Sequence, residues 1–191
     1  MEPQNPALDR WKQEAQAIAR TFEELWSGAS EEQRRWKQNA KSWSIAECID
    51  HLRATNAAYR INLESAIAGA KRKGGRPQKP YAPGRLAHWL HGQLDPERSK
   101  RRLPAPGVFR PTMDRSDPEV LHRFLEEQQE VLRLLADAEE IDLNRSKLAS
   151  PATPLLRLSV GEAFEAIVLH ERRHLLQAQN LLKKAGFPGA K

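Results

Sequence analysis

The 191 residues are 39% hydrophobic and 29% charged and carry a formal charge of +6, the balance of a globular chain long enough to bury one substantial core. No apolar run reaches membrane-spanning length and the first residues show no signal-peptide pattern, so neither a transmembrane helix nor a secreted leader is expected. A single cysteine, Cys48, excludes an internal disulfide; the expectation is one domain over residues 1–191 in a reducing cytoplasm.

Leu8, Trp11, Ala15, Ile18, Phe22 and Leu25 recur at three- and four-residue spacing and predict a first long helix from about Ala7 to Trp26, ended by Gly28. Ser30-Glu31-Glu32-Gln33 is a capping box that opens a short helical turn before Trp36. Ser44-Ile45-Ala46-Glu47 is a second box, with Trp43 placed as a hydrophobic staple. The helix it starts runs to about Ala70 and presents Ile45, Ile49, Leu52, Tyr59, Leu63 and Ile67 on its apolar face. At about 100° per residue, His51 lies roughly 120° round from the centre of that face. A position on the border of the core suits a metal ligand at a cleft, and equally a half-exposed surface histidine.

Residues 71–115 hold seven of the thirteen prolines and are expected to be mostly irregular, with a short helix over Pro83–Gln93 bearing His88, Trp89 and His91. Pro104–Pro111 reads as extended. Between 71 and 110 eleven Lys and Arg face only Asp95 and Glu97, a local charge of +9 that leaves the remainder at −3. Such a segment either attracts an anionic partner or is a solvated loop. Its length would let the third helix run parallel to the second. That helix starts at Asp117-Pro118, carries Leu121, Phe124, Gln128, Val131 and Leu135, and ends near Glu140, with His122 off the stripe and solvated. Residues 144–158 read as a loop. The last helix opens at the capping box Ser159-Val160-Gly161-Glu162, places Phe164, Val168, Leu175 and Leu182 in a stripe, and is ended by Gly186 and Pro188.

On that helix, His170 and His174 stand one turn apart and can grip one metal ion, with Gln177 a turn further on. His170-Glu171-Arg172-Arg173-His174 matches the zinc-protease pattern, in which the glutamate is the general base, so Glu171 is a catalytic candidate. The protease reading lacks its third ligand: Leu175–Lys191 contain no His, Asp, Glu or Cys. A remaining ligand must therefore come from upstream, and His51 is the best placed.

Trp43-Ser44, Glu47, His51, His170, His174, Leu175 and Gln177, in this order and spacing, resemble the DinB-like metal-binding four-helix bundles. The resemblance implies an all-α four-helix bundle of up-down-down-up topology, with the long basic, Pro-rich crossover between helices two and three. It implies a divalent-metal site of His51, His170 and His174, with zinc or nickel the expected ion. It also implies a metal-dependent enzyme that activates a low-molecular-weight thiol or water for a small-molecule substrate, as a thiol S-transferase or hydrolase, with Glu171 and Gln177 as candidates near the reaction. A homodimer is expected. The alternative is a non-enzymatic metal-binding stress-response or interaction protein. Nucleic acid is not an expected partner, because no reading motif accompanies the basic segment. Glu47 either closes its capping box or orients His51, and Cys48 is either a buried structural thiol or a further ligand or nucleophile.

Overall fold

Four amphipathic stripes become four long helices in the computed structural model, which describes residues 5–76, 79–101, 104–114 and 117–189. Helix α1 spans Pro6–Gly28, α3 Ile45–Arg72, α5 Val120–Asp137 and α6 Val160–Leu181. The short helices are α2, Glu31–Arg35, and α4, Arg85–Leu94. The three capping boxes form as the sequence predicts. Ser30, Ser44 and Ser159 each accept from the backbone N–H three residues on, while Gln33, Glu47 and Glu162 bond back. Asp117 and Pro118 form a turn ahead of α5 rather than its first residues: Asp117 accepts from the Glu119 N–H at 2.9 Å, and the helix begins at Val120.

Helix α1 packs on α5 and α6, and α3 packs on the same two helices. The apolar core falls into two clusters. One gathers Leu8 and Trp11, Tyr59 to Ile67, Val131 to Leu135 and Val160 to Val168. The other gathers Ile18 to Trp26, Ile45 to Leu52, Val120 and Phe124, and Ala178 and Leu181. Helices α1 and α6 therefore feed the first cluster from their N-terminal halves and the second from their C-terminal halves, whereas α3 and α5 do the reverse. Asn56, Gln128 and Glu171 lie between the clusters. Asn56 donates to Gln128 at 3.0 Å and to Glu171 at 2.8 Å, and Gln128 donates to Glu171 at 2.9 Å and to the Ala15 carbonyl at 3.1 Å. One hydrogen-bonded layer thus touches all four long helices, which satisfies nearly all of its buried polar atoms.

Residues 144–158 are not all loop. Lys147–Ser150 (β1) and Thr153–Ser159 (β2) form an antiparallel hairpin with Leu148 opposite Leu158. Both leucines are buried against the first cluster, so the pair supplies the apolar face that makes so short a hairpin stable. Leu155, at 94% exposure, points outward. Within the crossover, Gly107–Phe109 form a 3-10 turn where the prolines suggested a plain extended run, and Phe109 is buried. The Tyr81 ring packs against α6 at Gly161, where a Cβ would come within 2.4 Å of Tyr81. Tyr81 donates to Glu165 at 2.6 Å, and Nδ1 of His91 lies 3.0 Å from the Glu165 carboxylate, so α4 and the loop before it are strapped onto α6. Lys71 pairs with Asp137 and Glu140, and Arg98 faces Asp95, which draws part of the basic segment into intramolecular pairs. Arg102 of that segment, like Met1–Gln4 at the N-terminus, lies outside the described residues.

Candidate metal centre

The first turns of α3 and the second half of α6 bring His51, His170 and His174 together. Nε2 of His170 lies 3.1 Å from Nε2 of His51 and 3.1 Å from Nε2 of His174, and one ligand atom from each residue falls within 4.8 Å of the others. Nitrogens bound to a tetrahedral zinc at its usual bond length stand about 3.4 Å apart, so the three imidazoles are spaced to fit one divalent ion. His51 is 2% exposed, not the half-exposed residue that its place on the helical wheel allowed. The reason is the crossover, which returns over α3 and covers it. The Phe109 carbonyl meets Nδ1 of His51. A carbonyl oxygen only accepts, so Nδ1 carries the proton and the lone pair of Nε2 faces the other two rings. This is how an outer hydrogen bond fixes a ligand's tautomer.

Burial pushes the His51 imidazole down to about 4, against the raising effects of the Phe109 carbonyl and Asp50. His170 is pushed down to about 3 by burial, then by His51 and Arg173, and His174 is lowered by burial, then by His170, His51 and Arg173. All three imidazoles are therefore neutral at physiological pH, the form that ligates transition metals. The Trp43 ring sits 4.5 Å from the His51 ring and 5.4 Å from that of His174. Trp43 thus covers the cluster, one residue before the Ser44 cap of α3.

The histidines open onto a cavity of about 650 Å³ between α3, α6, the hairpin and the crossover. Gln177 lines it, as its spacing from His174 suggested, and approaches that ring. Glu171 does not line it. It is fully buried, both oxygens accept the Asn56 and Gln128 amides, and burial raises its carboxyl to about 7 despite those two bonds. The protease-like base role thus has no carboxylate in the cavity: among the described lining residues there is no Asp or Glu. The cause is a rotated helix face. The buried stripe of α6 runs through Phe164, Ile167, Glu171, His174, Ala178 and Leu181, while Leu182, expected in the stripe, is 40% exposed.

Glu47 serves the Ser44 cap, donor to acceptor at 2.9 Å, and also meets Lys37. Cys48 lies buried in the second core cluster, away from the cavity, and burial pushes its thiol far up, with Glu47 adding to the rise. Trp89 is 61% exposed and lies outside the cavity, which α4 lines with Leu90 and Leu94 instead. His122 is exposed beside Glu126.

Two cations at the cavity have no local signature in the sequence. Lys41 lines it, and so does Arg173, whose guanidinium donates to the Gln93 carbonyl at 3.1 Å, to the Ser99 carbonyl at 2.8 Å and to the Arg101 carbonyl. Neither forms an ion pair with a carboxylate among the described residues.

The family model of the DinB superfamily matches residues 14–178. The chain is also similar to the uncharacterized protein YuaE of Bacillus subtilis (strain 168), with 27% identity over 170 residues, covering 88% of this chain and 94% of YuaE. No solved structure matches it significantly.

Proposed function

This chain belongs to the DinB superfamily, and from that premise we propose that it is a metal-dependent enzyme in which His51, His170 and His174 hold one divalent transition ion, zinc or nickel. The observation that carries the reading is the meeting of three neutral Nε2 atoms at the wall of a cavity. When bound, such an ion supplies a Lewis acid that lowers the pKa of a thiol or water at its open position. The chain's own residues orient His51 through the Phe109 carbonyl, shield the cluster beneath Trp43, and leave one side open to substrate. That no carboxylate is among the described lining residues favours thiol transfer over hydrolysis, because a thiol is acidic enough to react without the general base that water wants. The opposed directions in which the helices feed the two core clusters support an up-down-down-up bundle as the scaffold. A homodimer built on an exposed helix face belongs to the same reading. Among the described residues no helix is long and apolar enough to cross a membrane.

The test is turnover of a small electrophile by zinc- or nickel-loaded protein with and without a low-molecular-weight thiol. Turnover that requires both metal and thiol supports the proposal. A metal-loaded protein inert toward a broad panel of electrophiles would favour a non-enzymatic metal-binding role.

A further inference from the structure

The cavity beside the histidines has two chemically distinct ends. Trp43, Lys41, Gln177 and Arg173 surround the histidine end. The other end is largely apolar: Tyr59 on α3, whose hydroxyl meets that of Ser150 at 3.4 Å, Ile167 on α6, Leu90 on α4 and Leu156 on β2. The distance along α3 from His51 to Tyr59 is about 12 Å at 1.5 Å per residue, so the apolar end extends well past the metal cluster. Among the described residues, no carboxylate pairs with the charges at the histidine end. Backbone carbonyls take the hydrogen bonds of Arg173 but leave its charge whole, and Lys41 pairs with no carboxylate among the described residues. Nearby acids are committed elsewhere: Asp50 to Arg53 and the Thr112 and Met113 amides, Glu171 to the buried layer. A divalent ion would add to this excess of positive charge, and such an excess attracts an anion.

We propose that the cavity takes an amphiphilic anion, its charged head at the histidine end between Lys41 and Arg173 and its aliphatic or aromatic body along Ile167, Leu90 and Leu156. The head is a carboxylate or thiolate able to fill the metal's open position, so the inference rests on the metal reading for that one contact. Burial of the body supplies most of the affinity, and the cations supply the selection for negative charge.

The experiment uses full-length protein reconstituted with cobalt. Visible absorption reads the metal site and calorimetry reads binding of octanoate, acetate, octanamide and octylammonium. Octanoate is expected to bind at least about tenfold more tightly than acetate, a modest return for six further methylenes, and also more tightly than octanamide or octylammonium. Lys41→Ala, at an exposed position, is expected to weaken octanoate several-fold while leaving octanamide unchanged. Equal binding of octanoate and acetate, or of octanoate and octylammonium, overturns the inference. If no cobalt spectrum develops but the calorimetric preference persists, the metal reading fails and the amphiphile reading stands. If the spectrum develops and no preference is seen, the reverse holds.

Discussion

Two polar clusters sit side by side between α3 and α6, and they differ in completeness. Asn56, Gln128 and Glu171 are sealed between the two apolar clusters, and amide donors meet carboxylate, amide and carbonyl acceptors, with Oδ1 of Asn56 left over. His51, His170 and His174 instead point nitrogen at nitrogen beside a cavity. Glu171 follows His170 directly, so one turn of α6 serves both. A polar cluster whose donors and acceptors nearly balance fixes how the helices pack. One that brings three imidazole nitrogens to a common point fits a metal ion instead.

The comparison breaks most visibly through stability. Glu171→Leu strands the Asn56 and Gln128 amides in the core and should cost about 3 kcal/mol, read as a lower urea midpoint. His51→Ala should cost less, about 1–2 kcal/mol, because its Nδ1 contact to one carbonyl is the main bond lost. Equal costs would mean that the sealed layer has no special structural part.

pH sharpens the contrast, because the clusters titrate in opposite senses. The folded pKa of His51 is lowered to about 4 from 6.5, so its contribution is fully present above pH 6.5 and is lost as pH falls toward 4. That of Glu171 is raised to about 7 from 4.5, so its contribution is fully present below pH 4.5 and is lost as pH rises toward 7. Each shift corresponds to at most about 3 kcal/mol. In metal-free protein the His51 and Glu171 contributions largely offset between pH 4.5 and 6.5, and His170 and His174, also lowered, add stability with rising pH over the same window. Relative to wild type, His51→Ala should lose stability with rising pH over that window, and Glu171→Gln should gain it. Urea melts at several pH values check this, and parallel curves for the two variants would refute it.

The smallest effects concern Cys48. Its thiol, buried and pushed up, should react with a disulfide reagent only as fast as the protein opens. Cys48→Ala should cost about 1 kcal/mol and leave metal content unchanged. Loss of metal on that substitution would bring the thiol back as a ligand.

The helices were legible because each carries its own evidence: a capping box at Ser30, Ser44 and Ser159, and an apolar stripe in α1 and α3. The i, i+4 histidine pair was legible for the same reason, as local spacing on one helix. What was not legible depends on contacts between distant segments. His51 looked marginal on its wheel because the residue that buries it and accepts from its Nδ1, Phe109, lies 58 positions away. Glu171 looked catalytic because its motif is local, whereas its partners Asn56 and Gln128 come from two other helices. The hairpin at Lys147–Ser159 was hidden by prolines at its turn and edge, and Leu148 opposite Leu158 was its one signal. Lys41 and Arg173 could not be distinguished from surface cations until the cavity was closed around them.

Metal content tests the central claim most directly: elemental analysis of untagged protein purified without chelator, beside His51→Ala and Glu171→Gln. The account predicts close to one transition ion per chain in wild type and in folded Glu171→Gln, and loss of the ion in His51→Ala. A wild type that stays metal-free after incubation with zinc and nickel, or a His51→Ala variant that keeps its ion, would contradict it.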